Sequence, residues 1–129
     1  MVRIGLLQTE PVRLDREENY RAAARLAERV EADLLVLPEL FDTGYLFAGR
    51  EELQAVATPA PEGETCSFLR ELARERGCHV AAGFAEAAGG KVYNAAALVG
   101  PEGEVGLYRK VHLFRGEKAL FAPGEEGFA

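Results

Sequence analysis

The sequence predicts an α/β fold, on three observations. Two short apolar runs, at 2–8 and 33–37, flank a stretch of helical periodicity, which reads as a strand–helix–strand unit. A second amphipathic stretch, 65–76, stops at a glycine. Three further runs, at 78–85, 92–99 and 104–109, are separated by glycine-bearing turns and read as a meander. The chain has 129 residues, 48% of them hydrophobic. That length suits a single domain spanning 1–129, and that composition excludes a disordered chain.

The elements follow in order. The run at 2–8 is apolar enough to be a buried strand. Asp15 opens a helix, and Glu18 three residues later completes the pattern of a capping box. Tyr20, Ala23, Ala24 and Ala27 repeat at helical spacing and form one apolar stripe. Arg16, Glu17, Arg25 and Glu28 lie elsewhere on that helix, which is expected to run to about residue 31. Leu34, Leu35, Val36 and Leu37 are four successive apolar residues, expected in a strand covered on both faces. The connection between these two strands should cross over right-handed. Residues 42–63 carry Gly44, Gly49, Pro59, Pro61 and Gly63 and read as irregular, with a short helix at 51–57.

The helix at 65–76 turns Phe68, Leu69, Leu72 and Ala73 inward, and Gly77 supplies its left-handed cap. The meander turns at Ala88-Gly89-Gly90 and at Gly100-Pro101-Glu102-Gly103. From Val111 to the end the chain reads as loop.

Charge and cysteine content narrow the function. Fifteen Lys and Arg stand against twenty-one Asp and Glu, for a net charge of −6. The cations form no basic run, so no nucleic-acid-binding face is expected. Cys66 and Cys78 match no zinc or redox spacing; both read as small core residues, and a reducing, cytoplasmic setting is expected. The first eight residues are too short in apolar content for a signal peptide. No stretch approaches the ~20 apolar residues of a membrane span. His79 and His112 are far apart, so no metal site is expected; His112 is expected to orient the loop around Lys110.

Two residues stand where chemistry is commonly placed. Glu39 follows a strand in Leu37-Pro38-Glu39-Leu40-Phe41, and the carboxyl ends of strands open onto ligand crevices in α/β folds. Enclosed by Leu37, Leu40 and Phe41, its carboxylate would be raised in pKa and suited to work as a general base. Alternatively it is a solvated carboxylate at a strand end. Lys110 follows the last strand, in Tyr108-Arg109-Lys110-Val111-His112-Leu113-Phe114. It can donate to a developing oxyanion, or it is a surface lysine. Asn94 either bonds near this site or serves a strand end. Tyr45, Phe47 and Phe41 either line a pocket or pack the core.

Taken together these segments resemble the nitrilase superfamily of carbon–nitrogen hydrolases, in its N-terminal half. Leu37-Pro38-Glu39-Leu40-Phe41 before Gly44-Tyr45 looks like the first signature of that family. Asn94-Ala95-Ala96 and Gly100-Pro101-Glu102-Gly103 resemble the segment leading to the second. Tyr108-Arg109-Lys110-Val111-His112-Leu113-Phe114 is similar to the second signature itself. Glu117-Lys118 and Phe121-Ala122-Pro123-Gly124 look like the stretch that follows.

The resemblance implies half of an α-β-β-α sandwich, one mixed sheet with helices on one face and a large apolar surface on the other. It implies a Glu-Lys-Cys mechanism without cofactor or metal, in which Glu39 is the base and Lys110 holds the oxyanion. Glu117 would position substrate or support the lysine; alternatively it is a loop charge. The family's nucleophilic cysteine lies some tens of residues beyond the Phe-x-Pro-Gly stretch, and neither Cys66 nor Cys78 carries over to it. The 129-residue chain alone is therefore expected to be inactive, as a truncated or proteolysed form.

The expected substrate is a small amide, nitrile or carbamoylated amine, discriminated by loops 42–63 and 111–129. The expected partner is a further copy of the chain or the C-terminal half, with neither nucleic acid nor membrane. A fold-retaining binding or assembly protein without activity is the alternative.

Overall fold

The computed structural model describes residues 1–127; the last two residues of the 111–129 loop lie outside the described residues. Five strands form one mixed sheet in the order β1-β2-β3-β4-β5. β1 (Ile4–Leu6) and β2 (Leu34–Val36) are parallel and joined by α1 (Arg16–Ala27). The irregular segment then holds α2 (Arg50–Val56) and leads into α3 (Glu64–Arg76). β3 (His79–Ala88) lies parallel to β2, and β4 (Lys91–Val99) and β5 (Val105–Arg109) complete an antiparallel meander. The loop expected after Val111 contains one turn of helix, α4 (Glu117–Leu120). Four residues are too few for a periodic pattern to register.

Local chemistry explains the boundaries. Asp15 caps α1 by accepting from the Glu18 amide at 3.0 Å. The second half of the capping box is not made, because the Glu18 carboxylate bonds to Arg21 and Arg25 instead. The helix ends at Ala27 rather than near 31, since the amides of Arg29 and Val30 bond three residues back and tighten the last turn. Gly77 takes φ 60° and ends α3 as its left-handed cap. The β3–β4 hairpin is longer than expected, with only Gly89 and Gly90 left in the turn.

The sheet is covered on one side. Leu35, Val80, Ala82, Phe84, Ala95, Ala97 and Val99 alternate onto the helix side and are buried with Ala23, Ala27, Leu69, Leu72 and Ala73. The opposite face carries Ile4, Leu6 and Leu98, which are 61%, 76% and 49% exposed. The expectation that β2 is covered on both faces is therefore corrected. Only Leu35 is fully buried, while Leu34 and Val36 register with Ile4 and Leu6 on the open face. Apolar residues on both faces of β2 reflect an apolar second surface, which the described residues leave uncovered.

A smaller core of Leu40, Leu53, Ala85, Val92 and Phe121 ties the loop after β2 to α2 and to the end of α4. It fixes the segment bearing Glu39 against the segment bearing Glu117. Among the described residues no helix is long and apolar enough to cross a membrane.

Candidate active site

Three segments meet at one end of the sheet. Glu39 lies three residues beyond β2, Asn94 lies on β4 opposite Ala85, and Lys110 follows β5. The Lys110 amide donates to the Asn94 carbonyl at 2.8 Å, and the Gly124 amide donates to the Lys110 carbonyl at 2.9 Å. The lysine backbone is therefore pinned from both sides. α4 then delivers Glu117, whose Oε2 accepts from the Phe114 amide at 2.5 Å.

The side chains close a ring. Lys110 Nζ donates to Glu39 Oε1 at 2.9 Å and to Glu117 Oε1 at 3.1 Å. Asn94 Nδ2 donates to the same two oxygens, at 2.6 Å and 2.9 Å. Glu117 is buried, whereas the Glu39 side chain is 45% exposed. Leu37, Leu40 and Phe41 point into the cores and do not enclose the Glu39 carboxylate, contrary to the expectation from their order in the chain. Its environment is set by hydrogen bonds instead.

Burial works against the charge on Glu117. Bonds from the Phe114 amide, Lys110, Tyr45 and Asn94 outweigh it and hold the carboxyl below its ordinary range. Burial likewise opposes the charge on Lys110, and its bonds to Glu39 and Glu117 outweigh that, so the ammonium is held above its ordinary range. The cluster can thus present a charged donor beside a carboxylate, the pairing needed for acyl-type chemistry.

The remaining candidates separate. Tyr45 is half-exposed and its hydroxyl bonds to Glu117, which with burial raises its pKa. Phe41 is core, and Phe47 packs edge-on against Phe121 at 6.2 Å. His112 is exposed and makes none of the backbone bonds that hold Lys110. His79 is exposed at the far end of the sheet, 3.6 Å from Glu104. Among the described residues no group of three or more His, Cys, Asp or Glu could hold a metal ion.

Cys66 and Cys78 are free and buried, and burial raises both thiols. Cys78 precedes β3 at the end opposite Glu39, and Cys66 lies in the first turn of α3 with its side chain in the core.

Three groups near the site were missed from sequence. Asp42 is buried and accepts from Thr65 Oγ1 at 2.8 Å. Glu86 is buried and grips Arg109 with two bonds of 2.7 Å. Buried Asn19 donates to the Asp42 carbonyl at 2.7 Å. No signal in the sequence marked Glu86, because the run read as a strand stopped at 85 and the structure extends β3 to Ala88.

Known proteins agree with this architecture. The sequence model of the family described as "Carbon-nitrogen hydrolase" matches residues 3–129. A nitrilase of Pyrococcus abyssi (strain GE5 / Orsay) is 48% identical over 131 residues, covering 99% of this chain and 50% of that protein. An N-carbamoylputrescine amidase of Solanum lycopersicum is 36% identical over 124 residues, covering 88% of this chain and 41% of that protein. A CN-hydrolase superfamily protein of Xanthomonas campestris, solved with an arsenic adduct in its active site, superposes with a TM-score of 0.87. It is 27% identical and is matched over 97% of this chain and 47% of its own. The chain spans half or less of the length of these relatives. With the sheet and the family match in agreement, the chain belongs to the carbon–nitrogen hydrolase family.

Proposed function

We propose that the protein carrying this chain is a thiol-dependent hydrolase of non-peptide carbon–nitrogen bonds, acting on a small amide. Glu39 is its general base, Lys110 its oxyanion donor, and Glu117 the second anchor of the lysine. The observation that carries this reading is Lys110 Nζ bonded at once to Glu39 and Glu117, at 2.9 Å and 3.1 Å. An ammonium has three N–H groups. Two are committed to carboxylates, which leaves one for an oxygen that becomes negative as a carbonyl carbon is attacked.

The steps follow from these roles. A thiol gives its proton to Glu39, and the thiolate attacks the amide carbon. The carbonyl oxygen takes up the negative charge against Lys110. Collapse of the tetrahedral intermediate breaks the carbon–nitrogen bond, and the Glu39 proton leaves with ammonia or an amine. Glu39 then removes a proton from water, which hydrolyses the thioester and restores the thiol. We place the thiol outside residues 1–127, because Cys78 lies at the opposite end of the sheet and Cys66, although α3 begins near this end, is fully buried in the core. The apolar open face fits a covering layer that brings this thiol, either from the same polypeptide or from a further copy. Relatives named nitrilase, (R)-stereoselective amidase and N-carbamoylputrescine amidase support trying nitriles, amides and carbamoylated amines as substrates.

The test is ammonia or amine release from such a panel by protein expressed from its complete reading frame. Glu39→Gln and Lys110→Gln are each expected to lower kcat by roughly 10²-fold or more. Residues 1–129 alone are expected to release none. Undiminished turnover in Glu39→Gln would overturn the assignment.

A further inference from the structure

Two carboxylates here share one lysine. Glu39 and Glu117 place an oxygen each within 3.1 Å of the same Nζ, so the ammonium cannot neutralise both. Like charges held this close ordinarily force a proton onto one partner. Asn94 supplies what the lysine lacks. Its Nδ2 has two N–H groups, and they go one to each carboxylate, at 2.6 Å and 2.9 Å. The orientation of the amide is settled by the same contacts, since its oxygen in that place would face two carboxylate oxygens.

The residue is also well held. It lies on β4 within the longest pairing of the sheet, its carbonyl accepts the Lys110 amide, and only 4% of it is exposed.

We propose that Asn94 is a positioning residue that holds the Glu117 carboxylate beside Lys110 and fixes Glu39 by the oxygen it does not use as a base. This rests on the reading of Glu39 as general base. One oxygen of Glu39 takes both bonds, from Asn94 and from Lys110. The second oxygen accepts no hydrogen bond among the described residues and is available for a proton. A neutral amide suits this place because it donates twice without altering the charge of the cluster. The groups facing it are Glu39, Lys110 and Glu117, with the Tyr45 hydroxyl also bonded to Glu117.

The experiment compares Asn94→Ala and the isosteric Asn94→Asp with the unaltered protein, each expressed from the complete reading frame. Turnover is measured against pH, and the Glu117 carboxyl is titrated by ¹³C NMR, with Glu117→Gln assigning its signal. In Asn94→Ala, kcat is expected to fall about 10- to 100-fold with KM changed less than about threefold. The acid limb of kcat and the Glu117 titration should both move up. Asn94→Asp, which adds a third carboxylate, should move both further. If Glu117 titrates unchanged in every variant that folds, the proposal is overturned, whatever happens to kcat. If no substrate is turned over by the unaltered protein, the hydrolase reading fails, and the Glu117 titration still decides the role of Asn94.

Discussion

A Cβ added at Gly83 would lie 2.6 Å from the Cα of Glu39. Glu39 rests directly on a glycine of β3. The backbones are also bonded in both directions there, from Gly83 N to the Pro38 carbonyl at 3.2 Å and from Phe41 N to the Gly83 carbonyl at 3.0 Å. A side chain at 83 would meet backbone, which cannot swing away, and the Glu39 turn would have to lift. Gly83→Ala is expected to cost about 1–3 kcal/mol by urea unfolding and to lower turnover at least tenfold. Gly106→Ala is the control, since its nearest neighbour is the Leu98 carbonyl at 3.9 Å. Its stability should stay within about 0.5 kcal/mol. Equal behaviour of the two variants would show that the close approach at 83 does not position Glu39.

Asp42 imposes a pH dependence of its own. Burial pushes its carboxyl from 3.8 to about 6, against the opposing pull of its bond from Thr65 and the charge of Arg16. Thr58 donates to Thr65 at 2.8 Å, and the Tyr20 hydroxyl lies 2.9 Å from the same oxygen. The folded-state value lies above the unfolded one. The stabilisation is therefore complete below about pH 4 and is lost as pH rises through about 6. A displacement of that size corresponds to about 3 kcal/mol. Stability of Asp42→Asn, measured by denaturant titration from pH 4 to 7, should lack this fall relative to the unaltered protein. Parallel curves for the two proteins would remove Asp42 as its source.

Much of the fold was legible in the sequence because it rests on local patterns. The stripe at Ala23 and Ala27, the cap at Gly77 and the glycine turns of the meander each encode one element. Glu39, Lys110 and Glu117 were singled out through family resemblance, and their spacing alone left each with an ordinary alternative. The ring they form was not legible, because it depends on β4 setting Asn94 between segments 55 and 23 residues away in the chain. The Asp42 network was hidden for the same reason. Its partner Thr65 is also 23 residues distant, and a carboxylate after Phe41 looks like any loop charge. The face of β2 was misjudged because an apolar run does not distinguish a covered face from one awaiting cover.

Beside Lys110, the half-buried Arg109 clamps the buried Glu86. The guanidinium makes two bonds of 2.7 Å to a carboxylate that is only 2% exposed, and lies 4.0 Å from the centre of the Tyr93 ring. Removing the cation strands the carboxylate in the interior. Arg109→Met is expected to cost about 3–5 kcal/mol, whereas Glu86→Leu with Arg109→Met should recover much of that loss. A double-mutant cycle by urea unfolding measures the difference. A small loss in Arg109→Met would mean that Glu86 is stabilised by other groups.

The open face gives a prediction that separates the chain from the protein that carries it. Leu6 and Leu98 stand on β1 and β4, on the side of the sheet that the described residues leave uncovered. Apolar side chains gathered on one face favour association over hydration. Residues 1–129 expressed alone should therefore bind an apolar-surface dye and self-associate in the ultracentrifuge. Leu6→Lys with Leu98→Lys should suppress both while costing less than about 1 kcal/mol, because these side chains are already in water. In protein from the complete reading frame the same pair should cost at least about 3 kcal/mol, because charge would then be forced into a covered apolar layer. If the pair is silent there as well, no second layer packs on this face, and the thiol proposed to attack the substrate must approach from another direction.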